Sequence, residues 1–351
     1  MKRTTGLLSA GVAVLFLLSA GYLVSFWFMP SEFIIPDSGN HNIATAALPP
    51  GPGFAEDRVP KKLDVKPIPF DGDRAIKYLK ALCDLGPRVS GSDAMTAQQK
   101  LVTKHFEAHG AKVVRQEFAA KQRSRSRDVP MVNLVAKWNP DAKARVIFCA
   151  HYDTRPFASE DEARNWAKPF ASANDGTSGV AFLMELAHHM TDFPTKVGVD
   201  FVLFDGEEYV FDRNDKYFFG SEHFGAEYVK HKAKLPYRYD AAILLDLFAH
   251  ADARLAIEGN SWEAAAPLVD QVWKVAEAVG AKSFKYERGF RRAMAVSDDH
   301  IALNHAGIPA IDVMDFDYPD WHKITDTPDK CSAKQMEEVA KVLTAWLQLQ
   351  K

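Results

Sequence analysis

The chain has 351 residues, of which 47% are hydrophobic and 25% are charged, and this composition is typical of a globular protein. Its formal net charge of −3 and the lack of any block of lysine and arginine argue against a nucleic-acid partner. The three cysteines (Cys83, Cys149 and Cys331) exclude a disulfide framework and a cysteine-based zinc site, and they leave open a single Cys83–Cys331 pair.

The N-terminus has the pattern of an export signal. Lys2 and Arg3 precede residues 7–29, which contain no charged residue and are long enough to span a bilayer. This stretch ends in Phe26-Trp27-Phe28-Met29, which is typical of an aromatic belt at a membrane interface. We predict an uncleaved signal anchor over residues 1–29, with the rest of the chain exported out of the cytoplasm to a periplasmic or lumenal space. A cleaved signal peptide and secretion are the alternative.

Residues 30–66 are rich in proline, glycine and alanine and show no sustained periodicity, so they are predicted to form a linker or a strap. A helical pattern begins at Asp71 and ends near Gly86. A second amphipathic helix is predicted over residues 93–109, with Ser92 as its N-cap and Gly110 as its stop.

The remainder of the chain alternates strands with helices. Strands are predicted over residues 111–118, 132–138, 144–150, 200–204, 241–247 and 308–313, and further helices over 177–190, 220–232, 261–279 and 332–349. This alternation predicts an α/β fold in which a mostly parallel mixed sheet carries helices on both faces. No internal repeat is seen, so residues 67–351 are predicted to be one catalytic domain.

Acidic residues follow the central predicted strand. Phe204-Asp205-Gly206-Glu207-Glu208 closes an apolar run, and ligand sites in open α/β sheets lie outside the carboxyl ends of the strands. Two adjacent carboxylates can point to different sides of such a turn, so that one binds a metal and the other moves protons. A solvated acidic turn is the alternative for the pair considered alone.

Other polar residues occupy similar positions along the chain. His151 follows a predicted strand and could be a structural histidine, and Asp175 precedes a helix and could be its N-cap. Asp246 lies in an apolar run, where an acid must be paired, hydrogen-bonded or metal-bound. In Asp298-Asp299-His300, capping explains at most one of the two acids. A set of aspartate, glutamate and histidine suits zinc, which leaves one coordination position open in catalytic sites.

The ordered set of these segments resembles the zinc-dependent glutaminyl cyclases (glutaminyl-peptide cyclotransferases), a branch of the co-catalytic zinc aminopeptidase superfamily. The resemblance runs from about residue 71 to the C-terminus. It rests on the following segments: Ala150-His151-Tyr152-Asp153, Asn174-Asp175-Gly176, Phe204-Asp205-Gly206-Glu207-Glu208, Leu245-Asp246-Leu247, Asp298-Asp299-His300 and Trp321-His322.

The resemblance implies an enzyme that converts the N-terminal glutamine of peptides or proteins to pyroglutamate and releases ammonia. We expect it to act as a monomer with one bound zinc ion. The resemblance also implies roles for seven residues. They are the zinc ligands Asp175, Glu208 and His322, the general acid/base Glu207, the hydrogen-bonded carboxylates Asp246 and Asp298, and the substrate-pocket tryptophan Trp321.

Two other interpretations stay open. A dizinc aminopeptidase would recruit His151 and Asp246 to a second metal bridged by Asp175, and a non-catalytic descendant would only bind peptides. The cyclase is favoured by the long insertion over residues 209–219, by Trp321 before His322, and by the Asp298-Asp299-His300 segment. Two departures from the animal cyclases oppose it: Arg213 stands near the place of a second pocket tryptophan, and Ala150 replaces a cysteine.

Overall fold

A mixed sheet of six strands forms the centre of the described structure, a computed structural model that describes residues 63–285 and 295–351. The order of its strands is β1-β2-β4-β3-β5-β8, and β6 pairs with β7 in a separate small sheet. The strands are β1 (Lys112–Ala120), β2 (Val129–Trp138), β3 (Ala144–His151), β4 (Gly198–Phe204), β5 (Arg238–Leu245), β6 (Leu255–Ala256), β7 (Phe284–Lys285) and β8 (Ala310–Val313).

Four neighbouring strands of the central sheet are parallel. Strand β3 pairs in parallel with both β4 and β5, and β5 pairs in parallel with β8, whereas β1 and β2 are antiparallel additions at one side. Strand β4 is buried along its whole length, as expected for a parallel strand covered on both faces. Along the outer strand β1, exposed residues mostly alternate with half-buried ones. The mostly parallel mixed sheet predicted from the sequence is therefore confirmed.

Helices cover both faces of this sheet. The helices are α1 (Gly72–Cys83), α2 (Asp93–Ala108), α3 (Ser178–Met190), α4 (Phe219–His231), α5 (Gly259–Val279), α6 (Asp299–His305) and α7 (Ala333–Gln348). The larger core packs α1, α2, α3, α5 and α7 against one face, where Phe148 and Phe201 are fully buried. The smaller core packs α4 and α6 against the other face through Phe224 and Leu303.

Local capping explains where the first two helices begin. The side chain of Asp71 accepts a hydrogen bond from the backbone N–H of Arg74, and Ser92 accepts one from that of Met95. These caps satisfy backbone donors that have no partner inside the helix. The starts predicted from the sequence for these two helices agree with the structure to within one or two residues.

The parallel strands bring their carboxyl ends to one edge of the sheet. His151 at the end of β3 is paired in register with Phe204 at the end of β4. Strand β5 ends at Leu245, two residues earlier than predicted, and Leu247 has a positive φ of 48°. Asp246 therefore lies in a turn beyond the strand and not inside it, which leaves its carboxylate free to face the same edge.

The predicted signal anchor and most of the predicted linker, up to residue 62, lie outside the described residues. Among the residues that the structure describes, no helix combines the length and the apolar character needed to cross a membrane. The three cysteines Cys83, Cys149 and Cys331 all have free thiols, so the Cys83–Cys331 pair left open by the sequence is not formed.

Candidate metal centre and active site

The turn after β4 carries two glutamates, and a neighbouring carboxylate holds it in place. The backbone N–H groups of Glu207 and Glu208 donate hydrogen bonds to the carboxylate of Asp153, at 3.0 and 3.2 Å. Gly206 begins the turn with a positive φ of 74°. Asp153 lies two residues beyond the end of β3, so it fixes the turn of one strand to the next. No role for this residue was predicted from the sequence.

A second loop presents Asp175. The backbone N–H groups of Asn174 and Asp175 donate to the carboxylate of Asp326, at 2.9 and 3.2 Å, and the hydroxyl of Tyr318 donates to the same carboxylate at 2.7 Å. The N-cap of α3 is Thr177, so the alternative in which Asp175 is a helix cap is wrong. Asp326 is a further supporting residue that was not predicted from the sequence.

The three predicted zinc ligands come together between these loops. The Nε2 atom of His322 lies 2.9 Å from Oε2 of Glu208 and 3.5 Å from Oδ2 of Asp175. One donor atom from each of the three residues lies within 4.8 Å of the others, and all three side chains are buried. The Oδ2 atom of Asp175 is buried without a hydrogen-bond partner among the described residues. Two carboxylates and one imidazole are the nitrogen and oxygen ligands that zinc takes, so these residues fit that ion.

Asp175 also faces a second group of possible ligands. Nε2 of His151 lies 3.1 Å from Oδ1 of Asp175 and 3.5 Å from Oδ1 of Asp246. These three side chains form another cluster of metal-ligand type around the same shared carboxylate. The ligand types that a second metal ion would need are thus present next to Asp175, and His151 lies among them.

Glu207 lies beside these clusters, and its side chain is more exposed to solvent than that of Glu208. Its side chain is 13% accessible against 2% for that of Glu208, and its Oε2 lies 3.8 Å from Nδ1 of His151. Burial raises the pKa of Glu207 well above its ordinary value, and the charges of Glu208 and Asp298 add to this effect. The pair is therefore not a solvated acidic turn. A carboxyl group whose pKa is raised by burial can take up a proton and give it up again, as general acid/base work requires.

Asp298 and a further buried acid extend the acidic group that includes Asp246. Asp298 caps α6 by accepting a hydrogen bond from the backbone N–H of Asp299 at 2.6 Å. Burial and the nearby charge of Asp246 raise the pKa of Asp298 to about 7. Asp312 is fully buried on β8, and burial together with the nearby charge of Asp298 raises its pKa well above the ordinary value.

Asp312 was not predicted as part of this group, although the signal was present in the sequence. It stands between Ile311 and Val313 in a predicted strand, so it is an acid in an apolar run. The reasoning that singled out Asp246 applies to it more strongly, since Asp312 is inside its strand and Asp246 is beyond the end of β5.

Trp321 forms a wall next to the predicted zinc ligands. Its ring stacks on the imidazole of His322, with centroids 4.0 Å apart and planes inclined by 27°, and it packs against Phe316 at 4.9 Å. The backbone of His322 has a positive φ of 52°. The half-buried indole is thus beside the metal-binding group, and its contact with a substrate stays a prediction.

The insertion over residues 209–219 lies against another side of the site. Tyr217 from this segment accepts a hydrogen bond from the guanidinium of Arg155 at 3.1 Å. The backbone N–H of Arg155 in turn donates to Oε1 of Glu208 at 2.9 Å. The insertion therefore contacts the metal-binding group through one intervening residue, which gives this sequence feature a structural role near the site.

The sequence matches peptidase family M28 over residues 133–347, which is more than half of the chain. Similar solved structures carry both cyclase and peptidase names. A glutaminyl cyclase from Fimbriiglobus ruber is 61% identical, with a TM-score of 0.80, and the match covers 84% of this chain and 100% of that one. A leucine aminopeptidase precursor from Bacteroides thetaiotaomicron is 30% identical, with a TM-score of 0.74, and the match covers 82% and 100% of the two chains.

Among curated proteins, the glutaminyl-peptide cyclotransferase of Bos taurus is 21% identical over 243 residues. That match covers 61% of this chain and 65% of the bovine protein, so the chain spans slightly less than two thirds of this relative's length. The residues that match the family, 133–347, include the strands and loops from which the site is built.

Proposed function

We propose that this chain converts an N-terminal glutamine of peptides or proteins into pyroglutamate and releases ammonia. The chain belongs to peptidase family M28 and, within that family, to the glutaminyl cyclases. The observation that carries the proposal is the 61% identity to a solved glutaminyl cyclase over 84% of this chain. The arrangement of a partly exposed carboxyl group, Glu207, beside a set of zinc-type ligands supports the same chemistry.

The metal would be held by Asp175, Glu208 and His322, whose donor atoms lie within 4.8 Å of one another. A zinc ion bound there supplies a Lewis acid that polarises the side-chain amide carbonyl of the glutamine. Asp153 and Asp326 support this set from outside, since they fix the backbones that carry Glu208 and Asp175. Such outer hydrogen bonds orient metal ligands and tune their affinity.

The α-amine of the substrate is the nucleophile, and its ordinary pKa of about 7.7–8.0 leaves part of it neutral at mildly alkaline pH. It attacks the carbon of the side-chain amide and forms the ring C–N bond. Glu207 accepts the proton that the amine loses and donates a proton to the departing amide nitrogen, which leaves as ammonia when its C–N bond breaks. Because the attack is intramolecular, orientation of the amine supplies much of the acceleration.

Asp246 and Asp298 act next to Glu207 in this proposal. The raised pKa of Asp298, about 7, means that this carboxyl group can keep a proton and donate a hydrogen bond. We assign to this acidic pair the stabilisation of the tetrahedral species that forms during attack. Trp321 is assigned to the substrate wall, because its indole ring is stacked beside the predicted zinc ligand His322.

An aminopeptidase is the second candidate, and one observation favours it. His151, Asp175 and Asp246 also form a cluster of metal-ligand type, which would complete a two-zinc centre. Glu207 would then activate water for hydrolysis of the first peptide bond. The two candidates differ in metal content, with one zinc per chain expected at the active site of the cyclase, and in product.

The test uses mass spectrometry of a peptide that begins with glutamine. Loss of ammonia from the intact peptide is expected, and removal of the first residue with two zinc ions in the active site would favour the peptidase. In Glu207→Gln, which keeps the shape of the side chain, we expect the rate to fall by about 10²–10⁴-fold with the zinc content unchanged. Glu277→Gln, at an exposed position on α5, is the control. Full activity of Glu207→Gln would remove its assigned role.

We also propose that the enzyme is exported and attached to a membrane through residues 1–29. The support is the sequence pattern of two basic residues followed by an uncharged stretch over residues 7–29. Fractionation of cells that produce the full chain tests this directly. The protein is expected in the membrane fraction with its N-terminus intact, and a soluble protein cut after this stretch would contradict it.

A further inference from the structure

Three histidines outside the proposed active site form a second group of metal-ligand type. His105 and His109 lie four residues apart at the end of α2, and His188 lies near the end of the neighbouring helix α3. One ring nitrogen of each lies within 4.8 Å of one from each of the others. We call this group the three-histidine cluster. It consists of half-buried side chains, so an ion in solution can reach it.

The distance between two of these rings matches that of ligands to one ion. Nε2 of His109 and Nδ1 of His188 face each other at 3.1 Å. Two nitrogens bound to a tetrahedral zinc ion at about 2.0–2.1 Å are separated by about 3.3 Å. The ring centroids of His105 and His109 are 4.4 Å apart, which brings the third imidazole to the same place. Little movement is therefore needed for these rings to bind one ion.

All three histidines also have a ring nitrogen with a partner of the kind that orients metal-bound histidines. Nδ1 of His109 donates to the carbonyl oxygen of His105 at 2.8 Å, and Nε2 of His105 donates to that of Met184 at 2.7 Å. Nε2 of His188 lies 2.7 Å from the hydroxyl of Tyr78 on α1. Ligating histidines almost always use their second nitrogen in this way.

The hydrogen bonds of the cluster can also be satisfied without an ion, in a different protonation pattern. Since Nδ1 of His109 carries its proton, the contact with His188 requires a proton on Nδ1 of His188, whose Nε2 then accepts from Tyr78. Binding of a cation would move that proton to Nε2 of His188 and reverse the bond to Tyr78. Burial lowers the pKa of both His105 and His188, so neutral rings are favoured.

We propose that His105, His109 and His188 form a separate binding site for a divalent transition-metal ion of the class that prefers imidazole, such as Zn²⁺ or Cu²⁺. The site links α2 to α3 and, through Tyr78, to α1. His188 lies ten residues after the first residue of α3, about 15 Å along the helix from the loop that carries Asp175. The bound ion is therefore structural, and the inference does not rest on the proposed cyclase activity.

The first experiment counts zinc ions. The chain is stripped with a chelator, reloaded with excess Zn²⁺, desalted and analysed for metal. The wild-type chain is expected to keep one zinc more than His188→Ala, whatever the number held by the catalytic site. His231→Ala, at an exposed position on α4, is the matched control and should keep the wild-type number. Equal zinc contents in the wild-type chain and His188→Ala would overturn the proposal.

The second experiment identifies the ligands and guards against a misfolded variant. Cu²⁺ binds such sites more tightly than Zn²⁺. Exchanged into the wild-type chain and into His231→Ala, it should give an electron paramagnetic resonance component with three nitrogen couplings. His109→Gln, a milder change at a half-buried position, should lose one of them, and unchanged ammonia release in this variant would show that the affected ion was not catalytic. A wild-type spectrum without a three-nitrogen component would contradict the site even if His188→Ala failed to fold.

Discussion

A close contact in the proposed active site involves Gly176, which follows Asp175. A methyl group at this position would lie 2.6 Å from Cε1 of His151 and 3.0 Å from both of its ring nitrogens. The backbone of Gly176 has φ 72° and ψ −41°, a combination that residues with a side chain rarely adopt. We therefore expect Gly176→Ala to damage both the stability and the activity of the enzyme.

The expected loss of stability in Gly176→Ala is the sum of two costs, one from the backbone conformation and one from the contact with His151. The rare backbone conformation costs roughly 1–3 kcal/mol for a residue with a Cβ atom, and overpacking against a fixed ring costs roughly 1–3 kcal/mol more. Gly280 provides a matched control, because its φ is 74° and no atom lies within 4 Å of the place that a methyl group would occupy there. Gly280→Ala should cost only about 1–2 kcal/mol, the ordinary cost of the left-handed conformation.

Urea unfolding of both variants, with ammonia release measured alongside, checks these numbers. Gly176→Ala should be less stable than Gly280→Ala by about 2.5 kcal/mol, the difference between the middles of these ranges. Its activity should fall on the order of 10²-fold, since His151 must move by about 1 Å, whereas Gly280→Ala should keep full activity. Equal losses of stability in the two variants, or full activity in Gly176→Ala, would refute the reasoning.

Three other predictions concern charged groups. Asp326→Asn should weaken zinc binding by about 10–100-fold in a chelator competition, because an amide supports the Asp175 loop less well, and unchanged affinity would contradict this. Hydrogen bonds outweigh burial and lower the pKa of Glu185 to about 2. The ionised Glu185 therefore stabilises the folded chain fully at pH values above the ordinary pKa of a glutamate, and this stabilisation is lost as the pH falls towards 2. Arg74→Met should flatten that acid-side loss in urea unfolding, and an unchanged slope would count against the ion pair. Burial raises the pKa of Asp312, so this residue destabilises the folded chain increasingly as the pH rises above the ordinary pKa of an aspartate. Asp312→Asn should therefore unfold at a higher urea concentration than the wild-type chain at about pH 8. A lower midpoint would contradict this.

Much of the fold could be predicted from the sequence, because the signals are local. Helix starts at Asp71 and Ser92 follow from side chains that bond to backbone groups three residues away. Buried strands such as β4 are visible as short apolar runs. The order of these elements then implies a parallel sheet, and a parallel sheet brings the ends of its strands to one edge.

The site was predicted in a different way. The sequence placed acids at strand ends, and the resemblance to glutaminyl cyclases selected Asp175, Glu208 and His322 as zinc ligands. The structure brings these three together and also gives Asp175 a second set of neighbours, His151 and Asp246. Spacing along the chain could not have chosen between one ion and two, since both sets share the same carboxylate.

The sequence by itself determined the elements, the sheet they form and the edge at which the reactive side chains gather, because caps and apolar runs act over a few residues. Only the tertiary structure decided which distant groups touch. Asp326 reaches the loop of Asp175 across 151 positions, and His188 meets His109 across 79. Such contacts depend on how helices and loops pack in three dimensions, and no local pattern of residues records that packing.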